Sequence, residues 1–173
     1  MGTFDLILRG GTCVTTRGTR VADVGIRGGE VAEIGDLGQS DGDQVFDATG
    51  LHVLPGCIDP QVHFREPGFP DKEDLESGMH AAVLGGVTAV LEMPNTVPTT
   101  TSLERMEDKF RRAEGRAWCD YGFFVGASPG NAEELAELER IPGCPGVKIF
   151  MGSSTGSLLV EHDSDLARVL ASG

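Results

Sequence analysis

Two periodicities divide the chain. From residue 4 to about residue 53 the apolar positions come in short runs separated by glycine. Phe4-Asp5-Leu6-Ile7-Leu8-Arg9 meets Gly10-Gly11, a turn signal. Val21 to Arg27 alternates, with Val24 and Ile26 on one face and Asp23 and Gly25 on the other. Gly28-Gly29 then leads into Glu30-Val31-Ala32-Glu33-Ile34-Gly35. Short runs joined by glycine turns predict a small antiparallel β unit over residues 1–53.

The pattern changes at Leu54-Pro55-Gly56, and residues 54–173 alternate strand and helix. Cys57 to Phe64 reads as a strand with a polar end. Lys72 to Gly85 reads as a helix, with Leu75, Met79, Ala82 and Val83 at helical spacing. Gly86 to Met93 predicts a buried strand, and Ser102 can cap a helix that runs to about Gly115. Cys119 to Ala127 is a third strand, and Asn131 to Arg140 a helix opened by an Asn cap. Val147 to Met151 is a fourth strand, and Asp163 to Ala171 starts a fourth helix. Four β-α units in series predict an α/β fold with a parallel sheet and right-handed crossovers. A doubly wound sheet and a barrel both fit this order. At 173 residues the chain is short for an eight-stranded barrel, which typically needs ~250, so four units would be half of one.

Composition narrows the partners. The formal net charge of -13 excludes nucleic acid and anionic membranes as expected partners, because a phosphate backbone is bound by Lys and Arg. Cys13, Cys57, Cys119 and Cys144 are widely spaced with no CxxC pair, which predicts free thiols rather than a disulfide framework. No charged segment followed by an apolar stretch opens the chain, and no apolar run approaches the ~20 residues of a membrane span. The expected location is the cytoplasm.

In parallel α/β folds the acting groups sit at the C-terminal ends of strands. At the first such end stands Asp59-Pro60-Gln61-Val62-His63-Phe64-Arg65-Glu66-Pro67-Gly68. Strand alternation puts Asp59, Gln61 and His63 on one face, the start of a metal site, with Arg65 next as a planar fork for an anionic group. A solvated loop with incidental charge explains the same residues. At the second end, Asn95 in Glu92-Met93-Pro94-Asn95-Thr96 offers a donor and an acceptor, or serves as a turn residue. At the fourth, Lys148 lies inside the apolar run Val147-Lys148-Ile149-Phe150-Met151. A buried lysine loses its charge readily and can form a Schiff base or take up carbon dioxide as a carbamate; an edge lysine would instead reach for water. Gly152-Ser153-Ser154-Thr155-Gly156-Ser157 has a phosphate-loop composition but lacks the GK[ST] ending. His52, His80 and His162 read as structural or exposed.

Together these motifs resemble a known family. Leu54-Pro55-Gly56-Cys57-Ile58-Asp59 leading into Val62-His63-Phe64-Arg65-Glu66-Pro67-Gly68 resembles the opening signature of dihydroorotases, in the amidohydrolase superfamily. Glu92-Met93-Pro94-Asn95-Thr96 looks like their second motif, and Gly146-Val147-Lys148-Ile149-Phe150-Met151 like their carbamylated-lysine strand. The resemblance implies the N-terminal part of a TIM-like (β/α)8 metal-dependent hydrolase barrel. Residues 1–53 would belong to a composite β-sandwich and residues 54–173 to the first half of the barrel. It implies a zinc enzyme, with one or two ions, that interconverts dihydroorotate and N-carbamoyl-aspartate. His63 would be a metal ligand, Lys148 a carbamate made with carbon dioxide and bridging the metals, and Arg65 and Asn95 the grip on the substrate carboxylate. Asp59 would stand behind the ligands.

Gln61 departs from the family's His-x-His and is a poorer zinc ligand. The family's later histidines and catalytic aspartate come from strands that would follow Gly173, so the chain by itself is expected to be inactive. A homo-oligomer is the expected assembly, with aspartate transcarbamoylase a further partner. An inactive scaffold for that enzyme, motivated by Gln61, and a dihydropyrimidinase or allantoinase relative are the alternatives.

Overall fold

The computed structural model describes residues 3–152 and 158–172, which divide into two compact units, Met1–Pro55 and Gly56–Gly173. The first unit is a five-stranded sheet built from β1 (Phe4–Thr15), β2 (Gly18–Arg27), β3 (Glu30–Gly35), β4 (Gly42–Asp47) and β5 (His52–Val53). Its order is β3-β2-β1-β4, with β5 also on β1. The expected antiparallel unit is corrected to a mixed sheet, because β4 and β5 both pair with β1 in parallel. Gly10-Gly11 is not a turn. The strand continues through it as a bulge, with Gly10 at φ 67, and the chain reverses only at Thr16-Arg17. Phe4 and Ile7 are buried with Leu37, and the Phe4 ring packs against Gly25, where a Cβ would lie 2.5 Å from it.

The second unit is the series of β-α repeats. Its strands are β6 (Cys57–Val62), β7 (Val87–Glu92), β8 (Asp120–Phe123), β9 (Val125–Gly126) and β10 (Val147–Lys148). Pairings β6-β7, β7-β8 and β9-β10 are all parallel. The single strand expected over residues 119–127 is interrupted at Phe124, whose N–H donates to the Glu92 carbonyl at 2.9 Å. The helices are α1 (Leu75–Leu84), α2 (Leu103–Ala113), α3 (Leu135–Leu138) and α4 (Asp163–Ala171). Leu75, Met79, Val90, Met106, Phe123 and Leu135 form the buried centre between sheet and helices.

Helix starts follow local chemistry. Asp74 opens α1 with a reciprocal box: its carboxylate accepts the Ser77 N–H at 2.7 Å while the Ser77 hydroxyl lies 3.3 Å from the Asp74 N–H. Ser102 caps α2 as expected, accepting the Arg105 N–H. The helix expected over 131–140 is corrected to a 3-10 turn, Ala132–Glu134, followed by the single turn of α3. Asn131 makes no side-chain cap there. No helix among the described residues is long and apolar enough to cross a membrane.

Candidate active site

The C-terminal ends of the strands carry the candidate residues, and backbone hydrogen bonds lace these ends together. Met93 N–H donates to Val62 O at 2.9 Å, joining β6 and β7. Thr100 N–H donates to Pro94 O, and Gly126 N–H donates to Thr100 O, at 2.9 and 2.8 Å. Ala127 N–H donates to Lys148 O at 2.9 Å. Asn131 is buried among these loops. Its amide nitrogen donates to Thr101 O and Gly126 O, and its oxygen accepts from the Ser128 N–H and hydroxyl. Both donors and both acceptor positions of that amide are thereby used, which fixes the loops after β7 and β9 to each other.

His63 and Asn95 meet at the ends of β6 and β7, with Nδ1 to Oδ1 at 2.8 Å. With the amide oxygen accepting, Nδ1 carries the proton and Nε2 keeps the lone pair. The imidazole is exposed and Asn95 half-buried. Asp59, Gln61 and His63 do not share the simple alternating face expected of them. Between Asp59 and Val62 the strand gains one residue on its partner, and the Asp59 carboxylate accepts the Gln61 N–H at 3.0 Å. Pro60 has no N–H for the ladder, so the strand bulges there and loses strict period two. Lys148 is half-buried rather than buried, with its ammonium 5.3 Å from the Phe150 ring centre, and it makes no hydrogen bond to His63. Arg65 is exposed on the loop between β6 and α1. The phosphate-loop candidate at 152–157 falls outside the described residues after Gly152.

Three residues that sequence reasoning passed over support this surface. Glu66 is buried, and its carboxylate accepts the Leu75 N–H at 3.0 Å and both terminal nitrogens of Arg116 at 3.0 Å. Burial pushes its pKa up, but the Arg116 and Leu75 hydrogen bonds and the charges of Arg116 and Arg112 outweigh this and hold it below the usual range. Gly68, at φ 123, lies against Val97, where a Cβ would sit 2.9 Å from the Val97 Cβ, and Val97 N–H donates to Pro67 O. The Arg65 loop is therefore held to the Asn95 loop by backbone contact. The third is Lys109 on α2, fully buried and paired to Glu92 at 2.8 Å. Burial pushes the Glu92 carboxyl up to about 7 against the pull of Lys109, and pushes the Lys109 pKa down against the pull of Glu92. The sequence signal for Lys109 is its spacing: Met106 and Ala113, three before and four after it, are apolar and mark the same helix face.

As a cation site the surface is partial. Among the described residues no three of His, Cys, Asp and Glu converge on one point, and a closed zinc site takes four ligands. The His63 ring fits as one ligand, because Asn95 occupies Nδ1 and leaves Nε2 to coordinate.

Comparison with known proteins agrees with this architecture. A family model described as Amidohydrolase family matches residues 52–158. The allantoinase of Deinococcus radiodurans is 42% identical over 152 residues, covering 87% of this chain and 34% of that protein. That of Escherichia coli is 40% identical over 162 residues, covering 92% and 35%. Among solved structures, the L-hydantoinase (dihydropyrimidinase) of Arthrobacter aurescens superposes with a TM-score of 0.89 at 29% identity, covering 96% of this chain and 38% of that one. The dihydropyrimidinase of Brevibacillus agri gives 0.78 at 32% identity, covering 95% and 36%. The chain thus spans about a third of the length of the curated relatives it matches. These likenesses bear out the TIM-like α/β expectation. For the narrower expectation they favour the alternative, a dihydropyrimidinase or allantoinase relative, over dihydroorotase: these relatives are named allantoinase, hydantoinase and dihydropyrimidinase.

Proposed function

The chain belongs to the amidohydrolase family, and we propose that it is the N-terminal portion of a hydrolase that opens the ring of a cyclic ureide of the allantoin or hydantoin type. The observation that carries the reading is the 2.8 Å contact between His63 and Asn95, which brings the first two motifs together and leaves Nε2 with its lone pair. The relatives named allantoinase and hydantoinase support the substrate class.

Within this reading His63 and Lys148, the latter as a carbamate formed with carbon dioxide, would hold a divalent cation such as zinc, with Gln61 a weak neighbour and the remaining ligands outside the described residues. Such a cation supplies a Lewis acid for a ring carbonyl. Asn95 fixes the His63 ring and its tautomer. Arg65 offers a charged, planar donor pair to a ring oxygen. Asp59 holds the Gln61 backbone N–H at the bulge.

A second reading, dihydroorotate as substrate, is favoured by Arg65 alone, whose fork matches a carboxylate. The test is a chimera in which this chain replaces the matching third of the Deinococcus allantoinase, assayed with zinc on allantoin, hydantoin and dihydroorotate. Turnover of a neutral ureide in preference to dihydroorotate supports the proposal. Preference for dihydroorotate, lost in Arg65→Met, transfers the assignment to the second reading. No turnover of any ring by a folded, zinc-loaded chimera sinks both.

A further inference from the structure

We infer that Lys109, through its buried pair with Glu92, is a positioning residue that sets the placement of Asn95 and thereby the ring orientation of His63. The inference uses the proposed function only for the interest of His63.

The contacts run in series. Lys109 Nζ donates to Glu92 Oε2 at 2.8 Å and approaches the Met93 carbonyl at 3.5 Å, with the Phe123 ring centre 5.3 Å away. Glu92 ends β7, and Met93 and Pro94 lead directly to Asn95. The same short segment is gripped by β6 at Met93 N–H, by Phe124 N–H at the Glu92 carbonyl and by Thr100 N–H at the Pro94 carbonyl. Lys109 thus reaches this segment from α2, while the backbone hydrogen bonds just named come from the neighbouring strands and loops. Asn95 projects from that segment onto His63.

The energetics say why a charged pair there does something that packing would not. Both side chains are about 1% exposed. Two charges so deeply buried give little net stability over apolar residues of the same volume, because desolvation cancels most of their attraction. What the pair adds is direction. An ammonium held by a carboxylate on one side and near a carbonyl on the other limits how the Met93 peptide can rotate. A methionine pair would fill the space and leave that peptide less constrained. Among the described residues Glu92 Oε1 has no hydrogen-bond partner, so the carboxylate is held through Oε2, on the side of Lys109.

The experiment reads His63 itself, in the full 173-residue chain, by nitrogen-15 NMR of its histidine rings. Three proteins are compared: the wild-type chain, Asn95→Ala, and Glu92→Met with Lys109→Met together. The double replacement leaves no unpaired charge and is expected to fold. If it does not, Glu92→Gln with Lys109→Gln serves in its place. The wild-type His63 ring is expected to show one dominant tautomer with the proton on Nδ1. Asn95→Ala is expected to abolish that dominance, and the double variant to shift the ring toward the Asn95→Ala pattern while its thermal midpoint stays near wild type. A double variant with the wild-type His63 pattern, beside an altered Asn95→Ala, overturns the inference and leaves the pair a filler of the core. So does an Asn95→Ala ring identical to wild type, since the series then has no last link. No outcome depends on turnover, so failure of the substrate proposal leaves this result readable.

Discussion

Two glutamates of the same unit are buried, and both are met by basic side chains from one stretch of chain. Lys109 lies on α2, Arg112 one turn on, and Arg116 just past its end. Around Glu66, the carboxylate receives a backbone N–H and two nitrogens of Arg116, with Arg112 at 3.5 Å. Those arginines keep about a third or more of their side-chain surface in water, at 32% and 40%. Around Glu92, one ammonium is the partner, one carboxylate oxygen is unmatched among the described residues, and both side chains are about 1% exposed. The two carboxyls move in opposite directions, Glu66 down and Glu92 up. A neighbouring cation therefore does not decide the sign. How deeply the carboxyl itself is buried, set against the number of donors it receives, decides it.

The strongest way to break this contrast is to remove the lone partner. Lys109→Met leaves a buried carboxylate without a counterion, and a loss of about 3–5 kcal/mol is expected near pH 8. Urea denaturation at that pH measures it. The loss should shrink in acid, where the Glu92 carboxyl is neutral and needs no cation. An equal loss at every pH would mean that Lys109 acts by packing its methylenes, and the contrast with Glu66 would fall.

Next in size is the pH dependence of the intact chain. A group whose folded pKa lies above its unfolded value binds its proton more tightly when folded. For Glu92, raised from 4.5 to about 7, that contribution is full below about pH 4.5 and is lost as pH rises through about 7. A shift of this size corresponds to on the order of 3 kcal/mol. Glu66 runs the other way: its contribution is present above its unfolded pKa and is lost as pH falls through the lowered folded value. Stability curves of wild type and the double variant Glu92→Gln with Lys109→Gln, which leaves no unpaired buried charge, from about pH 4 to about pH 8, should separate the two. The double variant is expected to lose the decline toward neutral pH and keep the decline in acid.

These two clusters also mark what local pattern could and could not convey. The β-α alternation, the Ser102 cap and the helix at 163–171 were legible because each is decided by neighbours in sequence. The parallel pairing of β4 and β5 with β1 was not, since it joins segments more than thirty residues apart. Gly10-Gly11 reads alike as a turn or a bulge until the partner strand is known. Asn131 reads as a cap because Asn before a helix usually is one, yet its amide ties two segments together instead, Thr101 after β7 and Gly126 to Ser128 at the end of β9. The run from His63 to Gly68 was the clearest motif and also misled. Glu66 and Gly68 in it build the loop, one by taking the first N–H of α1 and the other by admitting Val97. A motif with much of its length spent on architecture identifies a barrel lineage better than it identifies a substrate.

A smaller effect is expected where Glu66 has partners to spare. Arg116→Ala removes two charge-assisted hydrogen bonds but leaves Glu66 the Leu75 N–H and Arg112. A cost of about 1–2 kcal/mol follows, well under that of Lys109→Met, because the remaining donors and nearby water take up the carboxylate. The variant should also lose stability at a higher pH than wild type on acidification, since Glu66 then protonates more easily. Denaturation in acid and at neutral pH checks both statements.

The smallest effect belongs to the rim of the same cluster. Asp74 caps α1 through the Ser77 N–H and stands 3.7 Å from Arg116. The Ser77 N–H and hydroxyl hold its pKa below the usual carboxylate range. Asp74→Ala should cost about 1 kcal/mol, the value of an N-terminal cap. Asp74→Asn should recover most of this, because an amide oxygen can still accept the Ser77 N–H. The ion pair with Arg116 is long and half in water, so it adds little. Thermal denaturation of the three proteins compares them. If the Asp74→Asn variant is no more stable than Asp74→Ala, the charge rather than the cap matters at this rim. The Glu66 region would then resemble the Glu92 region more closely than the exposure of its arginines allows.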